Sequence, residues 1–521
     1  MTQPETQCAK GTPPQDGKPG RFAVSVLVVA LVSCIGLMLP MLFAGPLVLD
    51  EYGTYWIAGD GPLSLWERSL NYENIPPLAP AINRLFLRLF GESEFVFRLP
   101  SALCYVASIA LIFQLGRRVK DADFGALLAL ILAWHPVLLD EVRIARCYGL
   151  TLLLSIAVLH STVLWIKSLE STRYPLIWAL SSVLLIWTHY LNVLLVLMTS
   201  VPLAWYLFSD SFYGKNKLLL MWAIIGCCVY PLLPSLIRMS VWGEYFGFQT
   251  EASVTETVSS FWWAGLPAAL VARYVFHRGG YLNSSSRNTG KRLRWVLFFC
   301  CVVPMLGAIL FCRGDFASLA NPRYRTCVEA AGICLWLGIV SKQQKPIHSI
   351  AVVCIGLVVT WIGCGHLPWH PKRLSTPQSA QWKEMAVRIQ SDGHSEQTIF
   401  VQSGLGEAAL LRDFFADDVL QDYVACRMGR MYVKGDHRRI GLPFVWNLNP
   451  EMNQWYRDQL RGIAASRTNS FWLAAATDTD LNETSSLYFE EMAREEGFEM
   501  SQSHVLPKAK LILFQHRNPQ P

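Results

Sequence analysis

The residues most able to do chemistry gather at the edges of apolar stretches. Asp50-Glu51-Tyr52 follows an apolar run from Phe22 to about Leu49. Desolvation beside hydrocarbon disfavours carboxylate charge, so a pair kept there points to a reaction or transport site, the alternative being a solvated loop just beyond a bilayer. Asp140-Glu141-Val142-Arg143-Ile144-Ala145-Arg146-Cys147-Tyr148 sets two acids and two arginines beside another apolar stretch, and Asn321-Pro322-Arg323-Tyr324-Arg325 precedes a third. A guanidinium makes forked hydrogen bonds to phosphate oxygens and stays charged where solvation is poor. Arginines at membrane depth therefore suit a lipid phosphate, with head-group anchoring as the plainer reading.

The elements that hold these residues are membrane helices. Hydrophobic residues make up 52% of the 521-residue chain and charged residues 16%. Apolar stretches recur near 22–45, 99–115, 125–139, 148–166, 175–188, 191–208, 218–236, 258–276, 295–312, 326–341 and 347–363. The expected class is a polytopic α-helical membrane protein with about 11 transmembrane helices. A polar tail, residues 1–21, precedes the first span, which reads as an anchor because it is long, lacks a clear small-residue cleavage site and is followed by further spans.

Lysine sets the orientation. Lys10, Lys18, Lys120, Lys167, Lys215, Lys217, Lys291, Lys342 and Lys345 all fall in the tail or in even-numbered connections, which the positive-inside rule makes cytoplasmic. The acidic and arginine clusters then lie on the outer face, as does everything after about residue 364. The first outer loop, 46–98, holds an apolar-basic stretch from Pro80 to Phe90, with Arg84 and Arg88 four apart, that predicts an amphipathic helix on the membrane surface.

Metal and redox chemistry find little support. Most of the fourteen cysteines lie within the spans, where a thiol behaves as a small hydrophobe, and no CxxC pair occurs. His366 and His370 have helical spacing, but Pro368 and Pro371 break the helix that would aim both rings together. No metal site and no cofactor are expected, and a divalent-metal requirement is not legible. From Lys372 onward the chain turns polar, with strand-like runs Thr398–Gln402, Ser470–Ala476 and Ala509–Gln515 and helix-like runs Gln381–Gln390 and Leu487–Glu496. Residues 364–521 are expected to form a soluble α/β domain that covers the site or helps choose an acceptor. Gly404-Leu405-Gly406-Glu407-Ala408-Ala409 matches a dinucleotide pattern only nominally, with no matching acidic strand end.

An ordered set of short motifs carries a resemblance. Asp50-Glu51, Pro76-Pro77-Leu78, Phe90-Gly91-Glu92-Ser93-Glu94 and Arg98-Leu99-Pro100-Ser101-Ala102-Leu103 come first. His135-Pro136 leading to Ala145-Arg146-Cys147-Tyr148-Gly149-Leu150, then Thr188-His189-Tyr190 and Pro322-Arg323-Tyr324, follow. Residues 22–363 resemble GT-C class membrane glycosyltransferases, in the branch with protein O-mannosyltransferases and lipid A aminoarabinose transferases. The resemblance implies inverting transfer of a hexose or pentose from a polyprenyl-phosphate carrier to an acceptor lipid, glycan or protein, with no nucleotide site and no nucleic-acid partner. It also suggests a bacterial plasma membrane with the active face outward.

On that reading Asp50 is the candidate base, and Glu51 holds the loop or orients the acceptor, unless the two exchange roles. Arg143, Arg146 and Arg323 are candidates for the donor phosphate. Asp140, Glu141, Tyr148, His189, Tyr190 and Tyr324 are candidates to line the substrate pocket. Two departures stand out. Relatives often carry His or Lys where this chain has Ile75, and many carry Glu where it has Ile144. Either Arg143, Asp140 and Glu141 take over those roles or the donor is handled differently. A lipid-linked oligosaccharide polymerase or ligase, a flippase or transporter, and a non-catalytic scaffold remain as rival readings.

Topology is checked by reporter fusions. Those after Lys120, Lys217 and Lys345 are expected to read cytoplasmic and one after residue 370 external; a cytoplasmic reading at 370 would reverse the proposed face of the site.

Overall fold

The structure is a computed structural model, and it describes residues 19–43, 45–61, 63–210, 212–242, 322–340, 346–363, 377–392, 396–402, 414–443, 450–477 and 479–517, with isolated positions between. The expected spans at 258–276 and 295–312 lie almost wholly outside the described residues, as do His366, His370 and Gly404–Ala409.

Among the described residues the first part of the chain is helical. In order come α1 (Arg21–Leu42), α2 (Leu49–Ala58), α3 (Leu78–Phe90), α4 (Glu94–Val119), α5 (Ala122–Ala133), α6 (Pro136–Val142), α7 (Tyr148–Lys167), α8 (Arg173–Ile186), α9 (Val193–Asp210), α10 (Phe212–Val229) and α11 (Leu233–Trp242). Then follow α12 (Thr326–Val340) and α13 (Pro346–Gly363). Four described stretches are long and apolar enough to cross a membrane: α1, α4, α7 and Lys215–Arg238. The span expected at 125–139 is instead broken into α5 and α6, bent by 60°. Pro136 opens α6, where its missing N–H costs nothing, and His135 caps the helix by accepting from Leu138 N at 3.3 Å.

Close helix approach depends on glycine at two crossings. A Cβ at Gly116 would lie 2.4 Å from Gly125 Cα, joining α4 to α5, and one at Gly149 would lie 2.4 Å from the Ser101 carbonyl oxygen, joining α4 to α7. Trp165 and Trp178 pack fully buried between α7 and α8, with ring centroids 5.7 Å apart.

The two ends of this bundle differ in the charged residues they hold. At one end Lys167 bonds the Arg118 carbonyl and Lys217 bonds the Glu170 carbonyl at 2.8 Å. The N-termini of α2, α4 and α7 and the C-termini of α6 and α8 meet at the other, where the acids of the site lie.

The last part of the chain adds α14 (Pro377–Ser391), α15 (Asp418–Val424), α16 (Pro450–Ala464) and α17 (Asp480–Glu495) around a five-stranded sheet. The strands are β1 (Thr398–Gln402), β2 (Arg439–Gly441), β3 (Ser470–Ala476), β4 (Phe498–Leu506) and β5 (Ala509–His516), in the order β2-β1-β3-β5-β4. β2-β1-β3 is parallel and β3-β5-β4 antiparallel. Every residue of β3 is buried, as a continuous apolar run requires. β2 and β4 were not legible as strands: β2 is three residues long, and β4 is an edge whose side chains mostly face solvent.

This sheet region is seated on the loop after α1. Tyr432 Oη accepts from Leu47 N at 2.9 Å and donates to Glu94 at 3.1 Å, Trp56 Nε1 donates to Asp422 at 2.8 Å, and Tyr72 Oη donates to Asp417 at 3.0 Å. One continuous hydrophobic core runs through α2, α14, β1, β3 and β5.

Gly149→Ala tests the α4–α7 contact. The added methyl meets backbone, which cannot yield as a flexible side chain would, so a loss of about 1–3 kcal/mol is expected. Thermal unfolding in detergent, followed by tryptophan fluorescence, should show a lower Tm, whereas an unchanged Tm would place the helices farther apart.

Candidate active site

The two adjacent acids at the start of α2 have opposite environments, because neighbouring residues on a helix point about 100° apart. Glu51 is fully buried, and its carboxylate accepts from Arg98 Nε at 2.8 Å, Arg98 Nη2 at 2.7 Å, Ala145 N at 2.7 Å and Val48 N at 3.0 Å. Arg98 spends its other donors on the Gly45 and Pro46 carbonyls, both at 3.0 Å. Glu51 is saturated and has no lone pair to offer a substrate. Asp50 has a side chain 34% exposed; its Oδ2 accepts from Arg323 Nη1 at 2.6 Å, and its Oδ1 has no partner among the described residues.

Arg146 ties the site together. Its Nη1 donates to Glu73 at 2.7 Å, to Thr54 Oγ1 at 3.0 Å and to the Asp50 carbonyl at 3.3 Å. Glu73 ends a π-helix, Arg68–Glu73, that closes on Asn74 in the left-handed region at φ 52°. Such wide turns are rare and recur at functional sites. Burial raises the Glu73 carboxyl above its usual range, as does the Asp50 charge, while Arg146 opposes the rise. Its Oε2 is buried with no partner among the described residues.

The remaining candidates divide. Tyr324 stacks toward His189 with ring centroids 5.5 Å apart and lies under the Arg323 guanidinium, while Tyr148 is buried near both. Burial, with the Arg146 and Arg323 charges, lowers the His189 pKa to about 4, so the ring is neutral at pH 7. Its Nδ1 accepts from Leu191 N at 3.2 Å, which leaves the proton on Nε2. The break that presents it is held by Asn192, which donates to Thr188 at 2.8 Å and to Thr151 at 3.2 Å. Arg143 faces Asp140 at 4.0 Å, and Glu141, next to both, feels the Arg323 and Asp50 charges. Tyr190 instead packs into the apolar core of the bundle. Among the described residues no three His, Cys, Asp or Glu side chains gather as metal ligands.

Comparisons with known proteins meet this geometry from outside. Residues 74–237 match the family model for dolichyl-phosphate-mannose-protein mannosyltransferase. ArnT from Cupriavidus metallidurans in the apo state superposes with a TM-score of 0.56 at 13% identity, covering 94% of this chain and 97% of that one. The same protein bound to undecaprenyl phosphate gives 0.54 at 12% identity, covering 94% and 98%. The apo oligosaccharyltransferase of Archaeoglobus fulgidus gives 0.50 at 10% identity, covering 88% and 70%. The chain has the GT-C fold of membrane glycosyltransferases. No curated protein matches it in sequence.

Within this GT-C frame the two departures acquire a setting. Ile75 packs beside the core shared with the sheet region, its N–H bonded to the Ser69 carbonyl at 3.0 Å. Ile144 sits between Arg143 and the backbone N–H of Ala145 that Glu51 accepts. The residues not anticipated as members of the site are Glu73 and, as the partner of Glu51, Arg98. The sequence signal for Glu73 was its place just before Pro76-Pro77-Leu78; for Arg98 it was a charge at the start of an apolar span.

Glu51→Gln separates the roles of the two acids by stability. It leaves the Arg98 charge buried without compensation, with a cost of about 3–5 kcal/mol. The expected result is poor recovery of folded protein and a clearly lowered Tm, in contrast to Asp50→Asn; a Glu51→Gln protein as stable as the parent would deny the buried pair its structural role.

Proposed function

We propose that the chain transfers a sugar from a polyprenyl-phosphate carrier to an acceptor hydroxyl or amide, with inversion at the anomeric carbon. The observation that carries this reading is the 2.6 Å contact between Asp50 Oδ2 and Arg323 Nη1, which joins a partly exposed carboxylate to a guanidinium at the edge of the bundle. Asp50 takes the acceptor proton as the acceptor attacks, and the lipid phosphate leaves as its charge grows. Arg323 meets that charge. Once a phosphate shares Arg323, Asp50 is released from its ion pair to act as base, so donor binding and base activation are linked through one side chain. Arg146 is held charged by Asp50 and Glu73 and adds positive potential behind the leaving group. Neutral His189, with its Nε2 proton, and Tyr324 offer polar contacts to the sugar or its phosphate, and Asp140, Glu141, Arg143 and Tyr148 form the adjoining wall.

The family match at residues 74–237 and the undecaprenyl phosphate bound by the structurally similar ArnT support a prenyl-phosphate donor. The separation of the lysine-bearing end from the end that holds the site supports an outward site in a bacterial plasma membrane, with residues 1–21 inside, 22–363 as the membrane transferase domain and 364–521 outside. The seating of the sheet region on α2 supports a part for it in shaping the acceptor side.

Asp50→Asn keeps size and hydrogen bonding but cannot take the acceptor proton. Transfer from a radiolabelled prenyl-phosphate monosaccharide should fall by about a hundredfold or more while donor binding persists. Arg323→Lys should also impair transfer, because a point charge does not reproduce the fork. Parental rates in both variants would remove the catalytic reading, and turnover only with a long glycan carrier would reassign the chain as a polymerase or ligase.

A further inference from the structure

Asp60, between Gly59 and Gly61 where the chain leaves α2, is surrounded by more positive charge than it can balance. Arg84 and Arg88 of α3 reach its Oδ1 at 3.1 and 3.7 Å. Arg68 and Arg430 line the same cleft, between the first outer loop and the sheet region. Arg439 lies there too, but it is already matched by Asp422 at 3.3 Å, whose other oxygen takes Trp56 Nε1. Five guanidinium groups, those of Arg68, Arg84, Arg88, Arg430 and Arg439, therefore face two carboxylates, Asp422 and an Asp60 side chain that is 80% exposed.

Arg68 is the most telling of the five. It is 2% exposed, donates to the carbonyls of Trp56 and Gly59, and has no carboxylate within ion-pair distance among the described residues. Its Nε and the Nε of Arg84 are buried without a partner among the described residues. Burial and the like charge of Arg84 lower the Arg68 pKa to about 10 against the opposing pull of Asp422 and Asp60, which still leaves it charged at neutral pH. A buried cation with no carboxylate in direct contact is costly, and an incoming anion lowers that cost.

Beside this cluster α3 presents an apolar surface. Leu85 and Leu89 are 53% and 63% exposed, and Phe90 is similarly open. The pairs 84/88 and 85/89 form neighbouring stripes along one helix, a basic one next to an apolar one, as in helices that lie in the head-group region of a bilayer.

We propose that the arginine cluster around Asp60 binds the phosphate of an anionic bilayer glycerophospholipid, whose acyl chains lie against Leu85, Leu89 and Phe90. Charge complementarity selects an anionic over a zwitterionic head group. The lipid would fix the first outer loop on the bilayer surface and join it to the sheet region through Arg430. This site uses none of the residues assigned to transfer and does not rest on that assignment.

The test is native mass spectrometry of the full-length protein in detergent, titrated with phosphatidylglycerol and with phosphatidylcholine. Phosphatidylglycerol should be retained preferentially, and Arg84→Gln with Arg88→Gln should lower that preference by about fivefold for each arginine removed. Asp60→Asn removes the competing carboxylate from an exposed position and should strengthen retention, so the proposal stays testable if the arginine variants fold poorly. Undecaprenyl phosphate should leave the bound phosphatidylglycerol in place. Equal retention of the two lipids by the parent, unchanged retention in both variants, or displacement by undecaprenyl phosphate would each overturn the proposal, the last by assigning the cluster to a prenyl-phosphate path.

Discussion

The buried Glu51–Arg98 pair is the contact on which the rest of the site depends. Two charges removed from water are tolerated only when their remaining hydrogen-bonding capacity is filled, and here Val48 N, Ala145 N and the Gly45 and Pro46 carbonyls fill it. The same bonds pin the entry to α2, the start of α4 and the loop after α6 to one another. With Glu51 locked inward, the helical rotation between adjacent residues leaves Asp50 no choice but to face the cleft.

Arg146 extends this arrangement outward. It gathers Asp50, Thr54 and Glu73 from two separate parts of the segment between α1 and α3, and the π-turn before Asn74 is what brings Glu73 within its reach. Arg323 arrives from more than 270 residues away in sequence, carried by a short turn, Pro322–Arg325, ahead of α12. The site is thus an alternation of acid and base, with the Asp50–Arg323 pair partly exposed and the Glu51–Arg98 pair buried beneath it.

The sheet region acts on the same helix from the other side. Tyr432, Asp422 and Asp417 bond Leu47, Trp56 and Tyr72, so α2 is held at the residue that leads into it, near its C-terminal end and through the π-helix that follows. A helix of ten residues has little stability of its own in water, and packing on both sides supplies what propensity does not. The arginines around Asp60 lie where this grip meets the amphipathic α3.

The sequence by itself determined the membrane class, because long apolar stretches have few other uses, and it determined the candidates Asp50, Arg146 and Arg323, because charges at the margins of such stretches are costly to keep. It also located β1, β3 and β5, whose apolar runs are central in the sheet, and the amphipathic α3. Tertiary structure alone decided which acid faces outward: Asp50 and Glu51 are chemically near-equivalent neighbours, and only the position of Arg98, 47 residues on, separates a saturated structural carboxylate from an accessible one. It likewise decided the break between α5 and α6, which apolar composition hides, the short or solvent-facing strands β2 and β4, which carry no periodic apolar signal, and the entry of Glu73. Periodicity reports which face of an element is buried, whereas the partner of a buried charge is set by distances between segments that no local pattern encodes.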